Sequence, residues 1–145
     1  MRENLRSKST IEVRVRYAET DRMGVVHHSC YLIWFEAGRT DYMRERGASY
    51  RGLEERGVYL PVSETYCRLV SPAQYDDLVT IETWIDSVKS RQVVFGYRAL
   101  RDGKVLATGK TVHICIDESS KPVIIPEWVK KDLLPRTEGD EKEDE

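Results

Sequence analysis

Four strand-like segments follow one another between residues 58 and 116 with no helical pattern between them. They cover 58–70, 78–88, 92–100 and 104–116. Val79, Ile81, Thr83 and Ile85 recur at every second position of the second segment, and Val93, Phe95, Tyr97 and Ala99 share one side of the third. A period of two puts alternate side chains on opposite faces of a strand, so each segment has one face to bury. Asp102-Gly103 between the last two is a hairpin signal, because Gly takes the positive φ such a turn requires.

What precedes these strands limits the architecture further. Ile11, Val13, Val15 and Tyr17 alternate with Glu12, Arg14 and Arg16, which predicts a half-buried strand with Tyr17 as a core aromatic. Residues 18–27 read as a loop. Residues 29–46 read as a long helix with Ser29 as its N-cap. Leu32, Phe35, Arg39, Tyr42 and Met43 fall on one face of it, at spacings of three and four. Ile33, Trp34 and Ala37 widen that apolar surface beyond what one sheet covers, which predicts a second copy packed against it and hence a homo-oligomer. Gly47 is the expected helix stop. Short helices are expected at 50–55 and 127–133, with a proline-bearing turn at 117–126. Strand, long helix and four consecutive strands together predict an α+β fold, a mostly antiparallel sheet wrapped around one central helix.

At 145 residues the chain is long enough for one domain. Its longest apolar run, 31–35, is far short of the roughly 20 residues that span a bilayer. The N-terminal MRENLRSKST carries no signal-type apolar stretch, so a cytoplasmic protein is expected. Cys30, Cys67 and Cys115 form no CxxC pair, which argues against a disulfide framework and a structural zinc site. The net charge of −2 is unevenly spread: residues 1–10 carry +2, residues 136–145 carry −4, and the 125 between them sum to zero. A neutral core argues against a nucleic-acid partner. The expected organisation is a flexible N-terminus at 1–10, a single domain at 11–135 and a disordered acidic tail at 136–145.

The chemistry concentrates in residues 17–39, YAETDRMGVVHHSCYLIWFEAGR. A loop with Asp21 at its tip runs into a helix start, where backbone N–H groups are unpaired and carry partial positive charge. Carboxylate plus oriented N–H donors is the minimum kit for hydrolysing an activated acyl group. The competing structural reading of Asp21 is a turn or capping residue. His27-His28 suggests a metal ligand pair, but adjacent residues ordinarily point apart and no acid cluster accompanies them. Cys30 reads as a buried thiol, and Glu36 with Arg39 as a surface ion pair at i,i+3. On the residues alone, hydrolase and binding domain both stand.

The spacing Y-x-x-T-D-x-x-G-V-V-x-H-x-x-Y over Tyr17–Tyr31 resembles the 4-hydroxybenzoyl-CoA thioesterase family, and most closely its YbgC-like, Tol–Pal-associated acyl-CoA thioesterases. The turn Ser71-Pro72-Ala73-Gln74-Tyr75-Asp76-Asp77 resembles a second family motif. The resemblance covers about residues 10–134 and implies a hotdog fold and hydrolysis of an acyl-CoA to free acid and CoA. It implies Asp21 as nucleophile or general base, the His28 backbone N–H as oxyanion donor, and a Tyr17 hydroxyl that orients Asp21 or water. It also implies sites at a dimer interface, tetramers built as dimers of dimers, and no cofactor apart from the CoA of the substrate. CoA phosphates call for cations at the pocket mouth, for which Lys89 and Arg91 are the candidates; solvated turn charges are the alternative. His27 stands where many relatives carry Tyr or Phe, and the acidic tail has no family counterpart. Two rival functions remain on the same fold: a non-catalytic acyl or CoA binder, and an acyl-thioester hydratase or dehydratase using His28 with Glu36.

Overall fold

A computed structural model describes residues 7–134 of the chain. Five strands, β1 (Ser9–Arg14), β2 (Val62–Leu69), β3 (Leu78–Val88), β4 (Gln92–Arg101) and β5 (Lys104–Ile114), form one sheet in the order β1-β3-β4-β5-β2. Every pairing is antiparallel. The helices are α1 (His28–Glu45), α2 (Tyr50–Glu55) and α3 (Glu127–Leu133). This is the expected α+β hotdog arrangement, with α1 lying along the inner face of the sheet.

The inner face is set by the alternation of β3 and β4. Val79, Ile81, Thr83 and Ile85 point inward, as do Phe95, Tyr97 and Ala99. Phe35 of α1 stacks on Tyr97 at 4.7 Å between ring centres, and Tyr42 meets Phe95 edge to face at 5.8 Å. Helix and sheet approach this closely because α1 presents Gly38 to β3. A Cβ there would lie 2.5 Å from Thr83 Oγ1. The β4–β5 hairpin turns on Asp102 and Gly103, both at positive φ (52° and 78°), as the two-residue loop requires.

Several expectations are corrected. Residues Ser9 and Thr10 already belong to β1, paired with Thr83 and Glu82, and Lys8 Nζ sits 2.9 Å from Glu82, so the first strand begins ahead of residue 11. Residues 1–6 of the segment expected to be flexible, and the tail 136–145 expected to be disordered, lie outside the described residues. The first strand ends at Arg14, and Tyr17 opens a 3-10 turn (Tyr17–Glu19) that leaves it 78 % exposed instead of buried. Helix α1 is capped by His27, whose Nδ1 accepts from the Ser29 N–H. Trp34 needs no second copy to cover it. It is buried within its own chain, and its indole N–H donates to Glu19 Oε2 at 3.2 Å. Ile33, at 63 % exposure, and Ala37 do remain uncovered.

Candidate active site

The loop from residue 20 to 27 is a small closed structure built around Asp21. Its N–H donates to the Val25 carbonyl at 2.8 Å, and its carbonyl accepts from Gly24 at 3.0 Å. Its side-chain Oδ1 accepts from Met23 N–H at 2.8 Å and from Val25 N–H at 3.4 Å. The turn-residue reading of Asp21 is therefore met by one carboxylate oxygen. Oδ1 fixes the loop, while Oδ2 has no partner among the described residues and the side chain is exposed.

The loop is tied down at both ends. On the helix side, His27 N–H donates to the Glu19 carbonyl at 2.8 Å. The Glu19 carboxylate accepts from Arg16 N–H, Arg16 Nη2 and Trp34 Nε1. Burial pushes the Glu19 carboxyl up, but these bonds and the Arg16 charge outweigh it and hold the group below its ordinary range. On the sheet side, Val25 bridges Gln74, and Val26 N–H donates to the Ala73 carbonyl at 2.9 Å. The 73–77 turn is itself locked, because Asp77 Oδ2 accepts from Gln74 N–H at 2.8 Å and from Arg101 Nη1 at 2.7 Å. The second sequence motif is thus the brace for the first. Glu19 and Trp34 are parts of this site that the sequence reading missed. The Arg16–Glu19 spacing of a capping box is the one signal that could have found Glu19.

His28 is the first residue of α1, and its backbone N–H has no partner among the described residues. It is one of the donors that a helix start leaves free. The His27 and His28 rings do not diverge but stack 4.3 Å apart. Among the described residues no group of three His, Cys, Asp or Glu side chains is placed to hold a metal ion. Tyr17 lies on the same lip as Asp21, with its ring 5.5 Å from that of Tyr75, also exposed. Its hydroxyl bonds neither Asp21 nor any other described residue.

Lys89 and Arg91 occupy the exposed β3–β4 turn. The Asp21 loop packs against the other end of β3, where Val15 N–H meets the Asp77 carbonyl. The 11 residues of β3 separate the two ends by roughly 35 Å. One chain alone therefore brings Asp21, His28 and Tyr17 together and leaves Lys89 and Arg91 apart from them.

The expected Glu36–Arg39 pair does not form. Arg39 turns inward, where Nε donates to the Tyr50 hydroxyl and Nη1 to the Tyr97 hydroxyl at 2.9 Å. Tyr97 meets Thr111 Oγ1 at 2.6 Å, Thr111 meets His113 Nε2 at 2.8 Å, and His113 Nδ1 meets the Leu60 carbonyl at 2.9 Å. A carbonyl only accepts, so Nδ1 carries the proton and the neutral ring accepts at Nε2. Thr111 then donates to His113 and Tyr97 to Thr111, which gives the whole chain one direction from Arg39 to Leu60.

A five-stranded antiparallel sheet wrapped around one long helix defines a protein of hotdog type. The chain belongs to the thioesterase-like superfamily, whose family model matches residues 15–133. It is 37 % identical to YneP of Bacillus subtilis over 123 residues, covering 81 % of this chain and 89 % of that protein. It is 35 % identical over 120 residues to the acyl-CoA thioesterase YbgC of Haemophilus influenzae, covering 81 % and 88 %. The solved structure of TT1821 from Thermus thermophilus superposes with a TM-score of 0.81 at 40 % identity, covering 87 % of this chain and 95 % of that one. Among the described residues no helix is long and apolar enough to cross a membrane.

Proposed function

We infer that this protein hydrolyses acyl-CoA thioesters to the free acid and CoA. The observation that carries this reading is the division of labour within Asp21: one oxygen anchors the loop and the other is free. Oδ2 acts as the nucleophile toward the thioester carbonyl, or as the base that takes a proton from water; both routes use the same oxygen. The unclaimed His28 N–H stabilises the oxyanion as the carbonyl becomes tetrahedral. Collapse of that intermediate expels the CoA thiolate and leaves the free acid where water attacked, or an Asp21 acyl anhydride where Oδ2 attacked, which a water molecule then cleaves to the free acid and the carboxylate. No metal or prosthetic group enters the scheme, and CoA is present only as part of the substrate. The name of the Haemophilus influenzae relative, an acyl-CoA thioesterase, agrees with this substrate class.

The working unit in this reading is an oligomer, a dimer or a dimer of dimers. All eight residues of β2 are exposed, and β2 is a free sheet edge paired only to β5. Unpaired edges of this length are normally covered in native proteins. Ile33 and Ala37 extend the uncovered surface onto α1. A partner docked there brings a second protomer to the Asp21 loop and gives Lys89 and Arg91 a route to the CoA phosphates. Sedimentation should return a mass that is an even multiple of 16.8 kDa; a monomer at micromolar concentration overturns the shared site.

Thiol release tests the activity directly. The full chain is expected to release CoA from at least one of acetyl-, hexanoyl-, palmitoyl- and benzoyl-CoA, followed with a thiol reagent. Tight CoA binding with no release from any of them would identify a binder instead. Conversion of an enoyl-CoA to a 3-hydroxyacyl product would identify a hydratase.

A further inference from the structure

We propose that Arg39 is a specificity-determining residue that reads an uncharged oxygen on the acyl group, remote from the thioester carbonyl. The proposal rests on the thioesterase reading for the identity of the ligand. The site itself stands on its own geometry.

Arg39 is 6 % exposed and has no carboxylate partner among the described residues. A buried guanidinium is normally paired, because leaving it unpaired is costly. Two phenol hydroxyls take Nε and one proton of Nη1, which leaves Nη2 with no partner. Thr83 Oγ1 is the one side-chain nitrogen or oxygen of the described residues that is both sealed off and unpartnered. Nη2 is therefore not sealed off; it opens onto the cavity that Arg39 lines. Donors of this kind, held rigidly and facing a hollow, recognise an oxygen acceptor. Tyr97 is oriented by the Thr111–His113–Leu60 chain, so the guanidinium is fixed before any ligand arrives.

The cavity has about 670 Å³ of space, within the range of small-molecule sites. Leu60, Val62 and Ile116 give it apolar walls that suit an acyl chain. Its other charged lining residues are Glu36, Glu54, Asp117 and Glu118. Four acids against one arginine disfavour a carboxylate and favour a neutral acceptor, a hydroxyl or oxo group. Arg39 is 11 residues beyond His28 on α1, about 16 Å along the helix axis. The oxygen it reads therefore lies about a dozen bonds from the scissile carbonyl.

The test compares substrates that differ by one oxygen. Hydrolysis of dodecanoyl-, 12-hydroxydodecanoyl- and dodecanedioyl-CoA, and of hexadecanoyl- and 16-hydroxyhexadecanoyl-CoA, is measured with the full chain and with Arg39→Met and Arg39→Lys. The parent is expected to favour a hydroxyacyl over its alkyl counterpart by roughly tenfold or more in kcat/KM, as a hydrogen bond to a charged group implies. Arg39→Met should bring that ratio close to one. A parent ratio of one at both chain lengths overturns the proposal, and so does a ratio that survives in Arg39→Met. Preference for dodecanedioyl- over 12-hydroxydodecanoyl-CoA overturns the neutral-acceptor assignment. The parent ratio decides even if Arg39→Met does not fold. If no thioester is cleaved, the functional reading fails separately. The same pairs of acyl-CoAs are then compared by calorimetric binding, where equal affinities overturn the role of Arg39.

Discussion

Asp21→Asn is expected to fold as the parent does and to lose about 10²–10⁴-fold in acyl-CoA hydrolysis. The two carboxylate oxygens explain why the substitution separates structure from chemistry. The amide oxygen takes the place of Oδ1 and still accepts from Met23 and Val25. The amide nitrogen takes the place of Oδ2, where a charged oxygen has to attack or to receive a proton. Stability should stay within about 0.5 kcal/mol of the parent, as for a surface substitution that breaks no contact. Asp21→Ala is the informative partner. It removes both oxygens, so it should lose the same activity and in addition about 1 kcal/mol from the unmade turn bonds. Steady-state thiol release with denaturant melts of all three proteins reads both effects. Asp21→Asn hydrolysis at the parental rate would remove Asp21 from the mechanism.

The second large effect is on stability in acid. His113 is fully buried, and burial pulls its pKa down from 6.5 to about 4, helped by the Arg39 charge and opposed by the bond to the Leu60 carbonyl. The folded state thus holds His113 neutral while the unfolded chain protonates it at an ordinary pKa. Between pH 6.5 and about 4 the unfolded chain binds more protons, so stability falls as pH falls through that window. The whole contribution is present above the unfolded pKa, and its loss on reaching pH 4 is about 3 kcal/mol. Glu19, Asp77 and Glu82 are held below their ordinary values, so they weaken the fold at the acid end as well. The comparison that isolates His113 is His113→Gln, whose amide retains one donor and one acceptor. Urea melts from pH 7.5 to 4 should show a shallower pH dependence for the variant. Equal slopes would mean that His113 does not titrate out of step with unfolding.

The parts of the fold that announced themselves in the sequence are those governed by short-range rules. The period of two gave 78–88 to within a residue of its observed ends, and the Asp102-Gly103 pair located the turn after β4. Helices at 50–55 and 127–133 were equally legible. All of the errors but the helix cap involve contacts over longer range. Tyr17 continues an alternation in sequence, yet the chain leaves the sheet once Val15 has met Asp77. Trp34 looked like surplus apolar surface because its partner, Glu19, is 15 residues earlier in a loop. Arg39 looked like a surface ion-pair partner of Glu36, three residues away. Its real partners, Tyr50 and Tyr97, stand 11 and 58 residues off. The cap was assigned to Ser29 because hydroxyls are the usual acceptors, whereas an imidazole nitrogen fills that role. Asp21, His28 and Tyr17 stand close together in the sequence, in one loop and at the helix start that follows it. Lys89 and Arg91 were chosen for charge alone, which carries no information about distance.

The brace beneath the Asp21 loop has a consequence for how such a protein can diversify. Residues 73–77 and Arg101 hold the loop that carries Asp21, and none of them lines the cavity bounded by Arg39, Val62 and Ile116. Substitutions around that cavity can reshape what is accepted without disturbing the bonds that aim Oδ2. The loop brace and the cavity lining are separate sets of residues, so one can drift across descendants while the other stays fixed.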